Sequence, residues 1–179
     1  MSGPGIANGG TAAALREAFD ASFARAVEGA AAPVEHMLAV RIATDPYVLR
    51  LSEIAGLHVD LDVVSLPSAV RELRGIASLR NGIVPVYDLA QLLGYAGGAP
   101  ARWLVLAGRR HKLGLAFDRF EAYLGVTSEQ LSASRGARGR RHIAGVVRDG
   151  DLARPIVHVS SVLEAIAAAA LAGTPKKER

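Results

Sequence analysis

Cysteine is missing altogether from this 179-residue chain. That removes disulfides, thiolate nucleophiles and zinc–thiolate centres together, and it suits a reducing compartment. Aromatic residues are scarce, with one Trp, four Tyr and four Phe, too few to suggest a platform of base-stacking rings. There is no GxSxG elbow, no GxGxxG fingerprint and no HExxH pair. Gly5 to Thr11 has the glycine spacing of a phosphate loop but neither its lysine nor a strand before it. The five histidines, His36, His58, His111, His142 and His158, are scattered, and His58 with Asp60 on one strand face is the nearest approach to a pair. Asp60 with Asp62, and Asp149 with Asp151, lie in turn-like sequence, where Asp is expected for its own backbone chemistry. No set of nucleophile, base and orienting group can be assembled. No catalytic, metal-binding or cofactor-binding residue is assigned, no cofactor is expected, and the chain reads as a binding protein and not an enzyme.

Long apolar runs are absent too. The most apolar stretch, Val162 to Ala172, contains Glu164 and falls short of the ~20 residues that span a bilayer. Met1 to Gly10 lacks the basic and apolar regions of a signal peptide. A soluble, cytoplasmic protein without direct membrane insertion is expected.

What the chain does have is an internal repeat. Gly75 to Gly94 reads as strand, tight turn, strand and short helix. Asn81-Gly82 is a hairpin dipeptide with two positions suited to φ > 0. Pro85 cannot donate a ladder hydrogen bond, so its strand should lie at an edge or bend. Asp88 is an N-cap with Gln91 as its capping-box partner, and Gly94 ends the turn of helix from Leu89 to Leu93. Seventy residues later Gly145, Pro155 and Leu163 answer Gly75, Pro85 and Leu93. Asp149-Gly150 supplies the second turn, and Ser161 with Glu164 opens the second helix. Met37 to Ile42 and Trp103 to Leu106 are the matching first strands.

The rest of the chain fits around these units. Residues 1–10 read as a disordered lead-in and 11–32 as an N-terminal amphipathic helix, with Leu15, Phe19, Phe23, Ala26 and Val27 on one stripe. The stripe either packs on the following domain or serves as an arm for a partner or for self-association. Further strands are expected at Tyr47 to Leu51, Ile54 to Val59, Val63 to Leu66, Leu113 to Phe117 and Phe120 to Val126. Ala96 to Pro100 is the linker between halves, Thr127 to Arg141 an irregular basic loop, and 173–179 a frayed tail. The net charge of +4 is uneven: residues 101–168 carry 11 Lys and Arg against 6 Asp and Glu, whereas 36–100 carry 5 against 6. The excess is either a solvated arginine-rich surface or a basic face for an acidic partner or nucleic acid.

Three blocks carry a resemblance. Tyr47-Val-Leu-Arg-Leu-Ser-Glu53-Ile54, Arg74-Gly75-Ile-Ala-Ser-Leu79-Arg80 and Ile83-Val-Pro85-Val-Tyr-Asp88-Leu89 resemble the CheW family of chemotaxis adaptors, supported downstream by Gly114 to Asp118 and Ile143 to Val146. The likeness covers about residues 36–168. It implies a mainly β fold of two SH3-like five-stranded β-barrels on a shared core, with sub-barrels at about 36–95 and 101–168 and strands open to exchange between them. It implies an adaptor that couples the cytoplasmic tip of a methyl-accepting chemoreceptor to the regulatory domain of a CheA-type histidine kinase. Arg80 matches the family's receptor-side arginine and Glu53 its acid, and the two could pair across neighbouring strands. Leu51, Leu57 and Val59 match the kinase-side apolar contacts. The family pattern Asn-Leu-Arg-Gly is replaced here by Ser78-Leu79-Arg80-Asn81, which moves the turn glycine to Gly82. The alternative reading is a basic small-barrel nucleic-acid binder using Arg109-Arg110-His111-Lys112 and Arg135 to Arg148.

Overall fold

The computed structural model describes residues 33–80, 82–96, 101–108, 112–133 and 141–172. The helix predicted over 11–32, the tail from 173 and most of the arginine-rich segment lie outside the described residues. Among the described residues, twelve strands form two six-stranded sheets. Sheet I contains β1 (Val34–Ile42), β2 (Asp45–Arg50), β9 (Arg119–Thr127), β10 (Leu131–Ala133), β11 (Ile143–Asp149) and β12 (Leu152–Val157), in the order β10-β11-β12-β2-β1-β9. Sheet II contains β3 (Ile54–Val59), β4 (Val63–Val64), β5 (Leu73–Leu79), β6 (Gly82–Asp88), β7 (Trp103–Ala107) and β8 (Leu113–Phe117), in the order β3-β7-β8-β6-β5-β4. The helices are α1 (Leu89–Leu92) and α2 (Val159–Ala172). The sixth strand in each sheet, against the expected five, comes from counting the short β4 and β10. The pairing ends at β9 and β10 in one sheet and at β3 and β4 in the other, so neither is closed by backbone hydrogen bonds.

Each sheet draws on both parts of the chain. The chain builds β1 and β2 in sheet I and then crosses to sheet II for β3 to β6. It builds β7 and β8 there and crosses back for β9 to β12. Parallel pairing closes each exchange, with Val48 opposite Ile156 in sheet I and Gly114 opposite Val86 in sheet II. The halves therefore share a central core. Leu38, Ile42, Tyr47, Leu89, Val105, Phe117, Val157 and Val162 belong to one buried cluster. It joins both sheets and both helices, and each sheet keeps a smaller cluster of its own. Tyr95 hydrogen-bonds through its hydroxyl to Tyr47 and Asp45, which ties the end of α1 to β2. Burial first, and then these two bonds, push the Tyr95 hydroxyl pKa upward, so it stays protonated as a donor.

The repeat appears as matching registers. Gly75 pairs with Val86 and Gly145 with Ile156, each beside a register shift. Ile76 faces Pro85, and Val146 faces Pro155. Of the two alternatives for Pro85, an edge strand or a bend, the edge is ruled out, because β6 lies between β5 and β8. Pairing to β8 begins only at Val86, so Pro85 lies outside that ladder and pairs with Ile76 of β5 alone. Gly75 is required by close approach. At φ +148°, a Cβ there would stand 2.0 Å from the Val64 carbonyl oxygen.

Two further expectations change. The stretch from Thr127, predicted irregular, contains a 3-10 turn at Ser128–Gln130 and then β10. Gln130 folds back to accept from the Thr127 backbone N–H at 2.9 Å, a capping box on an element too short to leave a periodic signal. Helix α2 begins at Val159, before Ser161. Ser161 is an internal residue whose hydroxyl meets His142 Nδ1 at 2.8 Å.

Candidate functional site

The β5–β6 hairpin sets the position of Arg80. Leu79 pairs with Gly82, which puts Arg80 in the turn between β5 and β6. Gly82 is thus the first residue of β6, where the Asn81-Gly82 dipeptide predicts a turn position. Gly82 follows with φ +130°, a conformation that favours glycine. Arg80 is exposed at the hairpin tip on the rim of a groove of about 870 Å³. Ala55, Leu79, Val84 and Leu106 form apolar parts of its wall. His58 and Lys112 join Arg80 in the lining, and among the described residues no carboxylate lines the groove. Ile83, 69% exposed, adds an apolar edge.

Glu53 is elsewhere. It closes the 3-10 turn Leu51–Glu53 at the crossing from β2 to β3. Its Oε1 accepts from the Ser160 backbone N–H at 3.5 Å and from the Ser160 hydroxyl at 3.2 Å. A carboxylate at the first turn of α2 satisfies an orphan donor and opposes the helix dipole. Glu53 therefore does for α2 what a local cap was predicted to do, from a distant part of the chain. No ion pair joins Glu53 and Arg80 among the described residues, which corrects the expected pairing. Of the apolar candidates, Leu51 and Val59 are exposed, whereas Leu57 packs against the central core.

His58 and Asp60 do not pair. Asp60 instead accepts two bonds from Arg102, from Nε at 2.8 Å and Nη2 at 2.7 Å. The Arg102 hydrogen bond is the main reason the Asp60 carboxyl titrates below its ordinary value. Among the described residues no three His, Asp or Glu are grouped to hold a metal ion, and no helix is long and apolar enough to cross a membrane. Arg109, Arg110, His111, Arg135, Arg138 and Arg140, on which the nucleic-acid reading depends, lie outside the described residues.

The family model of the CheW-like domain matches residues 36–167. The chain belongs to the CheW-like domain family. Members are non-catalytic scaffolds, and the chain is a chemotaxis adaptor of this kind. Among solved structures it is similar to the scaffolding protein TtCheW from Thermoanaerobacter tengcongensis. The TM-score is 0.62 at 18% identity, over 69% of this chain and 88% of that one. No curated protein matches the sequence. The CheW-like likeness was legible in the hairpin block around Arg80. The company of His58 and Lys112 was not, because strand exchange, which leaves no local pattern, brings β3 and β8 to that hairpin.

Proposed function

We propose that this CheW-like protein is a cytoplasmic adaptor that couples a methyl-accepting chemoreceptor tip to the regulatory domain of a CheA-type histidine kinase. The single observation that carries the reading is the CheW-like match spanning both sheets. Within it, Arg80 is the receptor-side residue. It stands at a hairpin tip beside an open groove, free to meet a carboxylate of a helical hairpin through a charge-assisted bond. Leu51 and Val59 are the kinase-side contacts, being large exposed apolar groups at the first crossing and at the end of β3. Leu57, packed against the central core, supports them. Glu53 acts indirectly, by fixing the crossing against α2. The sheets curl toward two SH3-like barrels, and the segment 11–32 provides self-association.

Calorimetric titration with a kinase regulatory domain, and separately with a receptor hairpin, tests the reading. Micromolar binding to each is expected, about −8 kcal/mol. Arg80→Glu should weaken the receptor titration about tenfold or more and leave the kinase titration and the melting temperature unchanged. Absence of binding to both partners by the folded protein would refute the adaptor role. A second pair of titrations from residue 33 onward assigns the 11–32 segment, since loss of self-association alone is the expected result.

A further inference from the structure

The two sheets repeat each other pair by pair, so their positions can be compared directly. Arg154 stands opposite Val147 as Val84 stands opposite Ala77. Asp149 pairs with Leu152 as Leu79 pairs with Gly82. On β9 the pairing skips Glu121, with Ala122 opposite Ala39 and Phe120 opposite Val40. On β3 it skips Ala55, with Gly56 opposite Leu106 and Ile54 opposite Ala107. Glu121 therefore corresponds to Ala55, and Arg41, next along β1, corresponds to Gly108.

In sheet I these four positions form one ionic cluster. Arg154 donates from Nη1 to Glu121 at 2.7 Å and from Nε to Asp149 at 3.2 Å. Arg41 Nε donates to the other Glu121 oxygen at 2.8 Å. At the bulge the Glu121 side chain is 18% exposed, and Arg154 is only 8% exposed. The hairpin end of sheet I is plugged. Sheet II has Ala55, Val84, Gly108 and Leu79 at the same positions, and the groove of about 870 Å³ opens there, with Ala55, Leu79 and Val84 in its wall. Among the described residues its lining includes His58, Arg80 and Lys112 and no carboxylate to answer them.

We propose that this open hairpin end is a peptide-binding pocket. It takes one large apolar side chain of a partner protein, flanked by carboxylates that meet Arg80 and Lys112. The inference deepens the proposed role of Arg80 and rests on its facing a partner. The volume lies within the range of ligand sites. The apolar wall supplies burial energy and the basic rim supplies orientation and on-rate, whereas at the plugged counterpart Arg41 and Arg154 are already paired with Glu121 and Asp149.

The test uses the full chain and a fluorescein-labelled peptide, Glu-Asp-Glu-Leu-Phe-Asp-Glu, followed by anisotropy. Saturable binding is expected. It should weaken with added salt and vanish when Ser-Ser replaces Leu-Phe. Ala55→Glu with Val84→Arg transplants the plug of sheet I while leaving Arg80 in place, and should weaken binding at least about tenfold. Equal binding by that variant, folded and with wild-type melting, overturns the proposal, as does failure of the wild type to bind. Should the double variant not fold, Lys112→Glu at an exposed position decides, and unchanged affinity overturns the pocket. Receptor titration of Arg80→Glu is read separately. If receptor binding falls but the wild type does not bind the peptide, the pocket fails and the adaptor site stands. Peptide binding with unaltered receptor affinity keeps the pocket and removes the receptor assignment of Arg80.

Discussion

Glu53 shows how a residue chosen for its chemistry can turn out to serve the frame. Its Oε1 holds the start of α2, while Oε2 is buried without a hydrogen-bond partner. The gain from the cap is therefore offset by a desolvation cost. Glu53→Ala is expected to cost about 1 kcal/mol in urea unfolding. It should also accelerate amide exchange in the first turn of α2, which a purely receptor-facing residue would leave unchanged. Glu121 is the more consequential acid. Arg154 foremost, and also Arg41, hold its carboxyl below the ordinary value of 4.5, against an opposing push from burial. A depressed folded pKa adds stability that is full above the unfolded value and lost as pH falls through the folded one. Wild-type melting temperature should therefore fall below pH 4.5, and Glu121→Gln should flatten that part of the profile. At neutral pH the same variant leaves buried Arg154 short of a counter-charge, at a cost on the order of 2 kcal/mol.

The hairpins carry the corresponding lesson at the next scale. Gly75 and Gly145 hold the same place in the repeat but under different constraints. A Cβ at Gly75 would meet the Val64 carbonyl oxygen at 2.0 Å with φ at +148°, whereas one at Gly145 would meet the Ser132 oxygen at 3.0 Å. Gly75→Ala is expected to destabilise by more than about 2 kcal/mol in thermal melts, and Gly145→Ala by clearly less. Equal effects would mean that the edge strands β4 and β10 yield alike. Both glycines were visible in the sequence, as were Asp88 and the strands on either side. Asp88 does cap α1, accepting from Ala90 N–H at 2.9 Å. The β-bulge at Glu121 and the start of α2 were not visible. The first depends on a pairing partner far away in sequence, and the second on a cap that is not local.

For the molecule as a whole the decisive feature is the pair of crossings. Periodicity gave the strands and their order along the chain, but it carries no information on which sheet a strand joins. So Arg80 could be found from its own hairpin, while His58 and Lys112 could be grouped with it only in three dimensions. The exchange makes a clear demand on fragments. A chain ending at residue 96 and one starting at 101 each lack partners for half their strands. Each alone should give an unfolded circular dichroism spectrum, and an equimolar mixture should recover the native one. Independent folding of either fragment would contradict the shared core.

The same crossings also decide how the body responds to load. Two lobes joined by a tether can swing, and a push on one is lost in the swing. Here the chain passes between the sheets twice, through Leu51–Glu53 and through Asp118, each time directly between strands already paired in their sheets, so there is little slack to take up. Pulled at opposite ends, such a body yields only when strands are sheared apart, and below that limit it moves as one piece. A component placed between a sensor and an enzyme benefits from being a strut and not a hinge, because a small displacement received at one end is delivered at the other.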